Sequence, residues 1–68
     1  MRPEKAFGKN AGKVWGLLAK KGEPLSAYKL MKLSELKRDD VLSALGWLGK
    51  EGKIEILEDG RSRLYKLV

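Results

Sequence analysis

The sequence predicts an α+β domain in which three helices are followed by a C-terminal β-hairpin. Three observations carry that expectation. Apolar residues recur at helical spacing up to Leu48. Gly52 breaks the pattern, and from Ile54 onward the period falls to two, with Asp59-Gly60 between two strand-like runs.

The first helix is expected to start at Asn10, a residue suited to an N-cap. Ala11, Val14, Trp15 and Leu18 form its apolar stripe, with Leu17 at the margin, so Trp15 reads as a core residue. Residues 1–9 read as an N-terminal arm. Lys20-Lys21-Gly22 suits a helix C-terminus, where cations complement the macrodipole. Pro24 then forces Glu23 out of helical geometry, and Glu23-Pro24-Leu25 becomes a short extended connector.

Ser26 is placed to cap a short second helix that turns Ala27, Leu30 and Leu33 inward. Ser34-Glu35-Leu36 makes the turn. A third helix runs from near Lys37 to about Glu51, with Asp39 and Asp40 in its first turn. Val41, Ala44, Leu45 and Leu48 fall in one arc at 100° per residue and define its core face. In the hairpin, a two-residue Asp59-Gly60 loop would set Ile54 opposite Tyr65 and Ile56 opposite Arg63. A three-residue loop would flip the faces of the second strand, and the sequence leaves both open.

At 68 residues the chain is one domain, and it buries only roughly 60% of its unfolded surface. It holds no cysteine and no histidine, which removes disulfides, the usual zinc ligands and the common nucleophiles and bases at neutral pH. No catalytic, cofactor or metal residue is therefore nominated, and no small-molecule substrate. The apolar runs are too short for a bilayer, so a cytoplasmic protein without a membrane partner is expected. The net charge of +6 suggests a polyanion as partner. Most of the excess lies early: residues 1–22 carry six Lys or Arg against one acid.

The order helix, extended connector, helix, turn, helix, hairpin resembles a winged helix-turn-helix domain. The residues that carry the likeness are the Leu25-to-Leu48 segment, Leu45, Leu48, Gly52 and Ile54, and the Asp59-Gly60 tip. "NAGKVW", "ALGWL" and "EGKIE" are similar to a family of small stand-alone prokaryotic winged-helix proteins of unassigned role. Such proteins often place glycine in the turn and Ser or Thr ahead of the third helix, where this chain has Glu35 and Lys37. The resemblance implies DNA binding, with the third helix in the major groove and the wing at phosphates or the minor groove.

The outward side of the third helix displays Asp39, Leu42, Ser43, Gly46 and Lys50, with Trp47 on one flank. Base edges are usually read by Arg, Lys, Asn or Gln. Lys37, Arg38, Ser43 and Lys50 are the candidates there, and Arg61 and Arg63 are the candidates on the wing. The competing reading is that Arg61 and Arg63 only pair with Glu58 and Asp59 as solvated charges. Lys9, Lys13, Lys20, Lys21, Lys29 and Lys32 are either a phosphate-tracking patch or an ordinary solvated face.

Gly46 and Gly49 flank Trp47, and each mid-helix glycine costs about 1 kcal/mol relative to alanine. Glycine permits close approach of another backbone, and Leu42 and Trp47 offer apolar area. Either another part of the chain fills that space, the Phe7 segment among them, or Leu42, Gly46 and Trp47 form the interface of a homodimer or partner. Function is accordingly expected as a small nucleic-acid-binding protein, a transcriptional regulator or chromosome-associated factor gripping phosphates. The alternative is a protein-interaction module.

Overall fold

The computed structural model describes the backbone of residues 3–68, with side chains from Gly8 onward. The element order is α1 (Pro3–Lys21), β1 (Leu25–Ser26), α2 (Ala27–Ser34), α3 (Arg38–Lys50), β2 (Ile54–Asp59) and β3 (Ser62–Leu67). This is the α+β arrangement of three helices and a hairpin, with one short strand added. β1 pairs with β3, so the antiparallel sheet has the order β1-β3-β2.

Asn10 does not cap α1. The helix begins at Pro3, and Asn10 lies inside it, because residues 3–9 of the expected arm are helical as well. Proline is favoured in a first helical turn, where its missing N–H has no partner to lose. Met1 and Arg2 lie outside the described residues, as does the side chain of Phe7.

Ser26 behaves as expected: its hydroxyl accepts the Lys29 N–H at 3.1 Å and caps α2. The inward arc of α2 differs at one position. Leu33 is exposed, while Met31 packs on the core and Ser34 is buried. Leu30, Met31 and Ser34 share one arc at helical spacing, which leaves Leu33 on the far flank. The Ser34 hydroxyl accepts the Leu36 N–H at 3.1 Å, so its burial leaves no polar atom unsatisfied.

Glu35 closes α2 in the left-handed conformation, φ 62°, with its N–H donating to Met31 O at 2.9 Å. That geometry normally selects glycine. Lys37 occupies the N-cap of α3 with extended backbone and makes no side-chain capping bond. Both departures noted in the sequence therefore mark real local differences, a strained turn and an uncapped helix start.

At the other end of α3, Gly52 takes φ 70°, donates to Gly49 O at 3.1 Å, and is followed by a Lys53 N–H to Leu48 O bond at 2.9 Å. This pair of bonds absorbs the last carbonyls and turns the chain straight into β2. The wing turn is two residues long, but it sits one residue later than expected. Asp59 pairs with Ser62, leaving Gly60 and Arg61 as the loop. Gly60 has φ 64° and Arg61 is not among the positive-φ residues, the pattern of a II′ hairpin turn. Ile54 consequently faces Leu67 and Ile56 faces Tyr65. The register has moved by two residues, so the inward faces are unchanged.

Leu30, Val14 and Val41 are fully buried at the centre. Ala11, Leu18, Leu25, Ala44, Leu45, Leu48, Ile54 and Tyr65 surround them. Trp15 is not part of this core, being 43% exposed. The buried arc of α1 is Ala11, Val14 and Leu18, and Trp15 stands on its flank beside open hollows that α3 and the end of β3 only partly close.

Candidate nucleic-acid interface

α3 packs its Val41, Ala44, Leu45 and Leu48 side onto α1 and the rest of the core. Its opposite side, Asp39, Ser43, Gly46 and Lys50, is exposed along the whole helix. Ser43, Gly46, Trp47 and Lys50 outline a shallow concavity of about 290 Å³. Lys37 and Arg38 stand exposed at the start of the helix, and neither has an ion-pair partner among the described residues. Asp39 also lies there, and Asp40 is half-buried beside it.

The two wing arginines differ in state. Arg63 lies across the ladder from Glu58 and pairs with it at 3.6 Å, with both side chains well exposed. Such a solvated pair is worth roughly 0–1 kcal/mol and opens readily. Arg61, in the turn itself, is exposed and has no ion pair among the described residues. Lys66 pairs with Glu55 at 3.9 Å on the other face of the hairpin. Lys9, Lys13, Lys20 and Lys21 on α1 and Lys29 and Lys32 on α2 are all exposed, with Lys32 poised 5.4 Å above the Tyr28 ring.

Of the proposed interface residues, Leu42 and Trp47 line different hollows, and Gly46 borders a hollow with each of them. Leu42 and Gly46 turn toward the wing, where they join Leu45, Gly49, Ile54, Ile56 and Tyr65 around an open groove of about 490 Å³. Trp47 turns toward α1 and lines a second concavity, about 320 Å³, with Gly8, Gly12 and Trp15. A Cβ built on Gly46 or Gly49 would meet nothing within 4 Å, so the intramolecular packing that these glycines could permit is absent among the described residues. Ile56, 54% exposed, is the groove residue that the sequence reading missed. Its signal was the hairpin alternation, which names a face without saying what stands opposite.

All but the last residue of the chain matches a family model. Residues 1–67 fit the description "Winged helix-turn-helix domain (DUF2582)". The chain belongs to this family. In this winged helix-turn-helix domain α2 and α3 are the two motif helices and β2-β3 is the wing. The solution NMR structure of protein BT2368 from Bacteroides thetaiotaomicron superposes with a TM-score of 0.87 at 29% identity, covering 97% of this chain and 79% of that one. A structure of HOP2, described by its DNA recognition and protein interaction domains and its homologous DNA pairing, superposes with a TM-score of 0.74 at 27% identity. It covers 87% of this chain and 98% of that one. No curated protein matches the chain. Winged helix domains are in general binding modules for nucleic acid or protein, and the resemblance seen in the sequence is thus borne out at the level of family and fold. Among the described residues no helix is long and apolar enough to cross a membrane.

Proposed function

We propose that this winged helix-turn-helix domain binds duplex nucleic acid, DNA in preference to RNA, mainly through phosphate contacts. It would act in the cytoplasm as a transcriptional regulator or chromosome-associated factor. The observation that carries the reading is the set of exposed cations, Lys37, Arg38 and Arg61, that have no ion-pair partner among the described residues. They stand at the start of the helix that would enter the groove and at the tip of the wing. Ser43 and Lys50 are the groups on α3 that would reach base edges, and Arg63 would join once its exposed pair with Glu58 opens. The HOP2 likeness adds support, since that protein is described by DNA recognition.

Asp39, Leu42 and Gly46 on the same helix offer little to a base edge, which is why phosphate contacts rather than sequence reading are placed first. A narrow, A-like RNA major groove would exclude α3, whereas the major groove of B-DNA admits a helix.

Duplex binding measured between about 50 and 200 mM salt tests the proposal, because each neutralised phosphate contributes about 0.9 to the slope of log affinity against log salt. Arg61→Ala should reduce the slope by about one such unit, and Lys37→Ala with Arg38→Ala by about two. Absence of duplex binding at the lowest salt refutes it. A second reading, protein association, is favoured by the apolar groove between α3 and the wing.

A further inference from the structure

The sheet order leaves β2 at an open edge, with β3 on one side and no strand on the other among the described residues. Opposed residues in an antiparallel pair alternate between hydrogen-bonded and non-bonded. Val68 N–H donates to Lys53 O at 3.1 Å, and the ladder register sets these two residues opposite each other. The bonded pairs are then Glu55 with Lys66, Leu57 with Leu64 and Asp59 with Ser62. By the same alternation the N–H and C=O groups of Ile54, Ile56 and Glu58 point away from β3. β2 contains no proline, a usual means of blunting such an edge.

The groove lies beside this edge. Ile54 and Ile56 form its wing side, and Leu42, Gly46 and Gly49 form its α3 side. A strand laid along β2 would send alternate side chains toward α3, and the two glycines leave that space clear. On the face away from the groove β2 carries two carboxylates, Glu55 and Asp59, while Glu58 shares the groove face with Ile54 and Ile56, in a chain whose net charge is +6. Glu55 and Glu58 already face Lys66 and Arg63 across the ladder, in pairs so exposed that they compete weakly with a new cation.

From edge, groove and charge together we infer that β2 accepts an extended segment of another protein as an added strand. Its apolar side chains alternate into the α3–wing groove, and its Lys or Arg side chains, on the opposite face, lie against Glu55 and Asp59. A second copy of this chain fits less well. With three carboxylates from each β2 strand, self-pairing would gather six on two adjacent strands. Strand addition draws affinity from main-chain bonds and specificity from alternate pockets, and this edge supplies both. The inference does not depend on nucleic-acid binding.

The test titrates isotope-labelled full chain with a panel of synthetic hexapeptides alternating Val or Ile with Lys or Arg, against a matched panel carrying Glu. Basic peptides should shift the amides of Ile54, Ile56, Glu58 and Gly46 and slow amide exchange at Ile54, Ile56 and Glu58 by about tenfold or more at saturation. Gly46→Leu should fill the groove and weaken binding about tenfold while keeping the amide spectrum of the folded chain. Glu55→Lys with Asp59→Lys should transfer the preference to the Glu panel. The inference is overturned if no basic peptide binds up to about 1 mM, if both panels bind alike, or if the shifts fall on α1 or α2. Sedimentation as a dimer through β2 would overturn it as well.

Discussion

Replacing both Gly46 and Gly49 with alanine should make the fold more stable. Gly46 lies in the middle of α3, where alanine is favoured over glycine by about 0.8–1.0 kcal/mol. A Cβ there touches nothing within 4 Å, so no clash offsets the gain. Gly49 is in the last turn, and its carbonyl receives the Gly52 N–H at 3.1 Å in the closing motif, so about half the full value is expected. The pair sums to about 1.5 kcal/mol, and for a domain of this size each kcal/mol moves the midpoint by about 4–8 °C. Thermal unfolding followed by far-ultraviolet circular dichroism should therefore show a rise of about 6–12 °C, with a higher urea midpoint at unchanged slope. A midpoint that stays or falls would refute the reasoning, since it would mean that the glycines serve a contact or backbone geometry inside the fold. A rise would leave their purpose outside it, with whatever approaches α3.

Further expectations concern single sites. Glu35→Gly should stabilise the protein by about 1 kcal/mol. It removes left-handed strain of about 1–2 kcal/mol and a carboxylate at the wrong end of α2, against the added freedom of glycine when unfolded. Chemical denaturation checks this, and a loss of stability would show that the turn is unstrained. Ser26→Ala should lower stability by about 1 kcal/mol through loss of its bond to Lys29 N–H, and Ser26→Asn should recover most of it. Glu58→Gln releases Arg63 and removes a negative charge from the wing, so duplex affinity at low salt should rise, by an amount that shrinks as salt increases. Unaltered affinity would place the wing away from the phosphates.

Much of the chain could be read locally because the forces involved are local. The cap at Ser26, the stop at Gly52, the core arc of α3 and the change of period at Ile54 all depend on neighbours within a few residues. The misreadings were local choices overruled by context. Asn10 is a good cap only if nothing upstream extends the helix, and α1 reaches back to Pro3. Asp59-Gly60 is a strong turn pair, yet the ladder closed on Asp59 with Ser62 and used Gly60-Arg61 instead. Periodicity put Trp15 and Leu33 on apolar stripes, but burial requires a second surface packed closely over the residue, and both stay partly exposed at the flanks of their helices.

By itself the sequence determined the order of the elements, which residues share a face, and an excess of positive charge, because periodicity, capping and composition act within a turn or along a strand. Tertiary structure decided what stands across from each face. It divided Leu42 from Trp47 and, among the described residues, paired Arg63 with Glu58 while leaving Arg61 without an ion pair and set an uncovered β2 edge beside two bare glycines. Those outcomes follow from the packing of helices and hairpin against one another, a relation between residues far apart in the chain that no short-range pattern encodes.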